Sequence, residues 1–184
     1  MNKTETINTI ALSADISRTA AERVIDAFEA RLKLHTDAGK RVVFRGFGSF
    51  SRGVPTQKVG RNPRTGQPLT YTAYHKPKNA PAVSEADLCG EVAVDAGVSN
   101  AAANRALDAL QAVVASSLRK GDVVGFNGFG QFYAGRRAAR TGRNPRTGAS
   151  ILIPAARVPR FKASKAGNVG AKFSAGSSLK AALR

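Results

Sequence analysis

The chain has 184 residues, 42% of them hydrophobic, and carries 29 Lys and Arg against 12 Asp and Glu, a formal net charge of +17. Such a charge repels itself unless a polyanion neutralises it, so nucleic acid is the expected partner, an anionic membrane the second choice and plain solubility the third. The single cysteine, Cys89, excludes an internal disulfide; no apolar run is long enough to span a bilayer, and residues 1–10 lack the apolar centre of a secretory signal, so a reducing, intracellular setting is expected.

In chain order, a helix is expected over about residues 3–14, with Ile7, Ile10 and Ala11 on one face. A second follows Ser17, a natural N-cap, with Val24, Ile25, Phe28 and Leu32 as its apolar stripe and Gly39 at its end. The pattern then becomes β over residues 41–50, interrupted by a Gly46-Phe47-Gly48 turn. A long basic stretch turns at Asn62-Pro63-Arg64-Thr65-Gly66 and returns as a strand over residues 69–74. Pro77 and Pro81 bracket a short, stiff connector.

The same series then recurs 82 residues later. A helix over about residues 85–96 has Cys89 and Val92 where the first has Ile7 and Ile10, with Ser84 and Asp87 as a capping pair. The next starts after Ser99, carries Leu107, Leu110, Val114 and Leu118, and ends at Gly121. Phe44, Phe47 and Phe50 are matched by Phe126, Phe129 and Phe132, and the heptapeptide from Gly60 to Gly66 recurs letter for letter from Gly142 to Gly148, before a strand over residues 151–153. Two copies are too few for a solenoid and fit a duplicated domain or a fused dimer. Acids are absent between Asp37 and Glu85 and again after Asp122, where twelve Lys or Arg occur in 62 residues. That segregation points to a surface facing a polyanion.

An isolated Asn-Pro-x-x-Gly is usually a plain hairpin turn, with proline fixing one dihedral and glycine permitting a left-handed one. Here arginines flank the proline in both copies, as Arg61 and Arg64 and as Arg143 and Arg146. The strands leading to the turn add Arg52 and Lys58 in the first copy and Arg136, Arg137 and Arg140 in the second, with no acids. A basic ribbon tipped by a rigid apolar ring has the shape and charge of a minor-groove wedge.

The run from Arg137 to Pro145, the Gly128-Phe129-Gly130 turn, Val158-Pro159-x-Phe161 and the opening Met1-Asn2-Lys3-Thr4-Glu5 together resemble the bacterial HU/IHF histone-like DNA-binding proteins, twice over and along nearly the whole chain. The resemblance implies an α+β fold in which two halves intertwine as a single-chain pseudo-dimer, with a helical body and two β-ribbon arms embracing double-stranded DNA. It implies that Pro63 and Pro145 insert between base pairs and that Arg61, Asn62, Arg64, Arg143, Asn144 and Arg146, with the strand cations, hold groove edges and phosphates. The expected function is architectural, largely sequence-independent DNA bending in a bacterial nucleoid, with no catalysis, cofactor, metal or small-molecule substrate. A site-preferring bender and a basic scaffold for acidic partners are the alternatives.

The expected divisions are a first half over residues 1–76, a linker over 77–83, a second half over 84–162, and a basic insert with a short closing helix over 163–184. Gly53 and Pro55 predict a first arm that is shorter, bent or less ordered. The first copy has Tyr74-His75-Lys76-Pro77-Lys78 in place of the Val-Pro-x-Phe segment, as if its ending had been given up to the linker. Phe173, Leu179 and Leu183 suggest that the tail docks as a helix, against the alternative of a disordered basic extension. The six β-region phenylalanines and Cys89 read as core, and His35 and His75 lack companions for a metal site.

Overall fold

A capped helical pair opens each half in the computed structural model, which describes residues 1–52, 54–75, 80–126, 129–164 and 171–183. Helices α1 (Lys3–Ala14) and α2 (Arg18–Asp37) begin the first, α3 (Glu85–Ala96) and α4 (Asn100–Lys120) the second. Ser17 and Ser99 accept from Ala20 N and Ala102 N, and Ser84 forms a reciprocal capping box with Asp87. Asn2 forms another with Glu5, which the sequence reading missed. Each cap satisfies backbone donors that the helix itself leaves unpaired.

The strands are β1 (Arg41–Phe44), β2 (Gly48–Arg52), β3 (Val54–Arg61), β4 (Pro68–His75) and β5 (Ala82–Val83), then β6 (Val124–Phe126), β7 (Gly130–Arg137), β8 (Arg140–Arg143), β9 (Ser150–Ile153), β10 (Ala156–Ala163) and β11 (Ala171–Ala175); α5 (Ser177–Ala181) follows. They form two body sheets, ordered β11-β2-β1-β5 and β10-β7-β6, and two ribbons, β3-β4 and β8-β9. The fold is thus an α+β pseudo-dimer with a helical body and two arms.

The halves intertwine. Helix α1 packs along α4 and α2 along α3, so each long helix lies against the short helix of the opposite half. One hydrophobic core spans both, and all nine phenylalanines belong to a single network of ring contacts. Phe50 lies 4.9 Å from Phe173 and 6.2 Å from Phe132, centroid to centroid, and Phe28 lies 6.3 Å from Phe129 across the pseudo-dyad. Rings at these separations add to their area burial through edge-to-face and tilted packing.

The two helical seams differ. Arg31 grips Asp95 through two hydrogen bonds of 2.5 and 2.7 Å, and His35 Nε2 lies 2.7 Å from Glu91 Oε2. Hydrogen bonding from Arg31 holds the Asp95 carboxyl below its usual pKa. At the equivalent places of the other seam stand Val113 and Ser117, both buried, and the Ser117 hydroxyl meets Met1 Sδ at 3.0 Å. Cys89 is buried on α3, where burial raises its thiol pKa and leaves it a poor nucleophile.

The first half does not end where its sequence copy ends. Strand β11 pairs antiparallel with β2, setting Phe173 opposite Phe50, as β10 sets Phe161 opposite Phe132 in the second half. These are equivalent positions, since Phe50 and Phe132 lie 82 residues apart. The ending that the first copy lacks is therefore supplied by the C-terminal segment. Gly176 N donates to Phe47 O at 2.7 Å, Ser178 N donates to Gly46 O at 3.1 Å, and Leu179 and Leu183 are 2% and 7% exposed. Arg119 of α4 donates to Ala182 O at 3.2 Å.

This corrects the reading of residues 163–172 as a basic insert ahead of a short closing helix. Ala163 is the last residue of β10, Ala171 and Lys172 open β11, and α5 sits on the first half. The reason is packing: β2 would otherwise present Phe50 at an open sheet edge. Residues 165–170, most of the linker (77–79), Gly53, Gly128 and Arg184 lie outside the described residues, as does the His75 side chain.

Candidate nucleic-acid interface

The arms are antiparallel ribbons with the same register. Arg61 pairs with Pro68 below one tip, and Arg143 with Ser150 below the other. Of the shorter, bent or less ordered first arm that the sequence suggested, the shorter one is not found, and Gly53 lies outside the described residues. The first arm's ladder runs unbroken from Val54 opposite His75 to Arg61 opposite Pro68. The second arm is the interrupted one: β7 pairs with β10 up to Arg137 opposite Ala156, and pairing resumes at Arg140 opposite Ile153. In a two-stranded ribbon every second N–H faces outward, so Pro55 is accommodated without loss to the ladder. Pro154 occupies the corresponding break in the second arm.

The tips are built identically. Asn62 N donates to Gln67 O at 2.9 Å, Gly66 N donates to Asn62 O at 2.8 Å, and the Asn62 carboxamide oxygen accepts from Arg64 N at 2.9 Å. Asn144 repeats all three, with Ala149, Gly148 and Arg146, at 2.9, 2.8 and 2.9 Å. Gly66 and Gly148 both have φ of +70°, which a side chain would strain. Both asparagines thus shape the turn through their side-chain oxygens, and the prolines between them and the following arginines stand exposed at the extremity.

Lys58, Arg61 and Arg64 on the first arm, and Arg136, Arg137, Arg140, Arg143 and Arg146 on the second, are all exposed and form no ion pair among the described residues. Arg52 differs: it is exposed at the end of β2, but its Nη1 lies 2.7 Å from Asp37 Oδ1. Strand alternation puts Lys58 and Arg140 on one ribbon face, Arg61 and Arg143 on the other. A ribbon charged on both faces suits a groove walled by phosphates on either side.

The structure also reveals an exposed apolar component that the charge analysis passed over. Val59, Leu69 and Tyr71 on the first arm and Ile151 and Leu152 on the second are exposed, Val59 and Leu152 by about three quarters (75% and 76%). Leu69 and Tyr71 alternate along β4, while Ile151 and Leu152 are adjacent on β9.

Comparison with known proteins supplies the relationship. The model of the bacterial DNA-binding protein family matches residues 1–84 and again 83–168. The chain belongs to that family. Among relatives of this DNA-binding family, DNA-binding protein HU-beta of Escherichia coli K12 is 52% identical over 84 residues, 46% of this chain and 93% of the relative. HU-beta of Neisseria meningitidis serogroup A is 46% identical over the same length, covering 94% of the relative. A solved structure of an HU protein from Anabaena, cocrystallised with DNA, is 38% identical and covers 46% of this chain and 91% of that one, with a TM-score of 0.45. These matches span about half of this chain because each relative carries one family unit where this family member carries two.

Proposed function

We propose that the chain is an architectural protein that binds double-stranded DNA in the minor groove and bends it, with Pro63 and Pro145 as wedges and the arm cations as phosphate and groove contacts. The observation carrying this reading is the pair of identical tips, each presenting an exposed proline between two arginines at the end of an acid-free ribbon. The HU relatives are named as DNA-binding proteins, which supports extending their partner to this chain. Phosphate contacts supply affinity with little sequence information, while the exposed apolar residues and the wedges suit the unstacked, widened groove of a kinked duplex. Asn62 and Asn144 act chiefly by holding the tip, and Arg52 acts only on exchanging Asp37 for a phosphate. The reading assigns no chemistry to the site, and it places the protein with the chromosome.

Two family units are present, so one chain supplies both arms and is expected to act as a 19.3 kDa monomer. The first functional half comprises residues 1–76 together with β11 and α5, and the second is contiguous.

The test is the double variant Pro63→Ala/Pro145→Ala, with bend angle read from end-to-end energy transfer across a short labelled duplex and affinity read in the same titration. The expected result is a large loss of bending with a smaller loss of affinity at low salt, because unstacking a base step costs on the order of a few kcal/mol and the wedge offsets part of it. Bending equal to wild type would remove the prolines from the mechanism.

A further inference from the structure

The two arms are equal in length and register but unequal in charge. At the arm bases, equivalent positions hold Val54 and Pro55 in the first half and Arg136 and Arg137 in the second. Farther out the arms match charge for charge: Lys58 with Arg140, Arg61 with Arg143, Arg64 with Arg146. A sixth cation of the second arm, Arg157, is taken by the body, its guanidinium donating to Leu118 O at 3.1 Å and Arg119 O at 3.4 Å at the C-terminal end of α4. The difference is local to the arms: residues 1–76 carry thirteen Lys and Arg and residues 84–162 eleven, with six carboxylates in each range.

We infer that the chain binds DNA with a polarity, and that Arg136 and Arg137 are the residues that set it. This rests on the DNA-bending function proposed above. A dimer of identical subunits has arms that a duplex cannot distinguish. Among the described residues, five exposed and unpaired cations on the second arm face three on the first, where Arg52 is also exposed but is paired with Asp37. Where one flank of a bound duplex is short, fewer phosphates are available on that side. The more highly charged arm gains most by lying over the longer flank, so one of the two orientations related by the pseudo-dyad is favoured. The polarity is therefore expressed on a duplex with unequal flanks, such as a site close to an end, and is silent on a symmetric interior stretch.

The body offers equivalent positions for a reporter. Leu12 and Val94 lie 82 residues apart on α1 and α3, are 85% and 79% exposed, and take no part in the arms. Cys89 is buried at 1% exposure, so a thiol-reactive dye goes to an introduced cysteine. Leu12→Cys and Val94→Cys, each labelled singly, are bound to a duplex with one long flank, one short flank and an acceptor dye at the short end. Unequal transfer from the two labels is expected. In the Arg136→Gln/Arg137→Gln background the two efficiencies should converge, and the slope of log affinity against log salt should fall by roughly 2. Equal transfer in the wild-type background, or a difference that survives charge equalisation, would overturn the proposal. Loss of the proposed DNA-binding function itself would appear differently, as absence of binding to any duplex at low salt.

Discussion

The halves close their sheets by different routes. The second half uses the next strand in the chain, β10, whose Phe161 lies opposite Phe132. The first half sends β4 off toward the linker and receives β11 from the far end of the sequence, placing Phe173 opposite Phe50. The resulting packing is nearly the same: Gly48 and Gly130 each face a phenylalanine ring and a carbonyl oxygen at under 3 Å from where a side chain would begin. A structural role is thus conserved in space while its sequence position moves by more than 90 residues relative to the first copy. The physical requirement is covering the aromatic core, and it is indifferent to which segment does so.

Removing residues 171–184 is the strongest way to break this equivalence. The first half would lose Phe173, Leu179 and Leu183 together, and each large apolar truncation in a core costs about 2–5 kcal/mol. The total is comparable to the whole stability of a domain. The expected outcome is a protein that is unfolded or molten at 25 °C by circular dichroism; a cooperative melt within a few degrees of wild type would show that β11 and α5 are accessory.

The paired variants Gly48→Ala and Gly130→Ala sharpen the comparison. The new methyl would meet Ser174 O at 2.6 Å in one case and Lys162 O at 2.5 Å in the other, with φ of +157° and +151°. Each is expected to cost about 2–4 kcal/mol in denaturant melts. Gly48→Ala should also open the C-terminal segment to proteolysis while Gly130→Ala leaves it protected. Identical cleavage patterns would mean that pairing with β2 is not what protects β11.

A smaller, pH-dependent difference separates Glu29 from its equivalent, Gln111. Burial raises the Glu29 carboxyl from 4.5 to about 7, against the opposing influence of Lys3, whose Nζ lies 3.4 Å away. Burial also disfavours the Lys3 ammonium, but hydrogen bonds and charge from Asp26 and Glu29 prevail and leave its pKa above the ordinary lysine value. Gln111 instead donates to Glu85 Oε1 at 2.6 Å. A carboxyl whose pKa is raised on folding binds a proton more tightly in the native state. Its stabilisation is complete below about 4.5 and is lost as pH climbs through about 7. Glu29→Gln should therefore gain melting temperature at pH 8, by a few degrees for about 1 kcal/mol, and gain little at pH 5. An equal change at both pH values would assign the effect to packing.

Much of this architecture was legible in the sequence because it rests on local physics. Ser17, Ser84 and Ser99 cap helices at the expected places, and the stripe Val24, Ile25, Phe28 and Leu32 faces the core. The arm tips follow from the Asn-Pro-x-x-Gly chemistry that repeats in both copies. The interface was read through its charge, so Arg52 was grouped with the arm cations although Asp37, fifteen residues away, claims it. Its apolar residues were passed over because nothing local says whether a strand's second face meets core or solvent.

By itself the sequence determined the repeat, the helix limits, the two basic ribbons and the proline tips, since each depends on residues close together in the chain or on exact recurrence. Tertiary structure alone decided that the first half is finished by the C-terminal segment, that ion pairs join α2 to α3 while none among the described residues joins α1 to α4, and that the first arm is the unbroken one. Those outcomes depend on which edge of which sheet is left open and which helix lies across it. The first of them is settled by burying Leu179 and Leu183 and packing Phe173 against Phe50, more than a hundred residues distant; the spacing in the tail signals that it docks but not which half receives it.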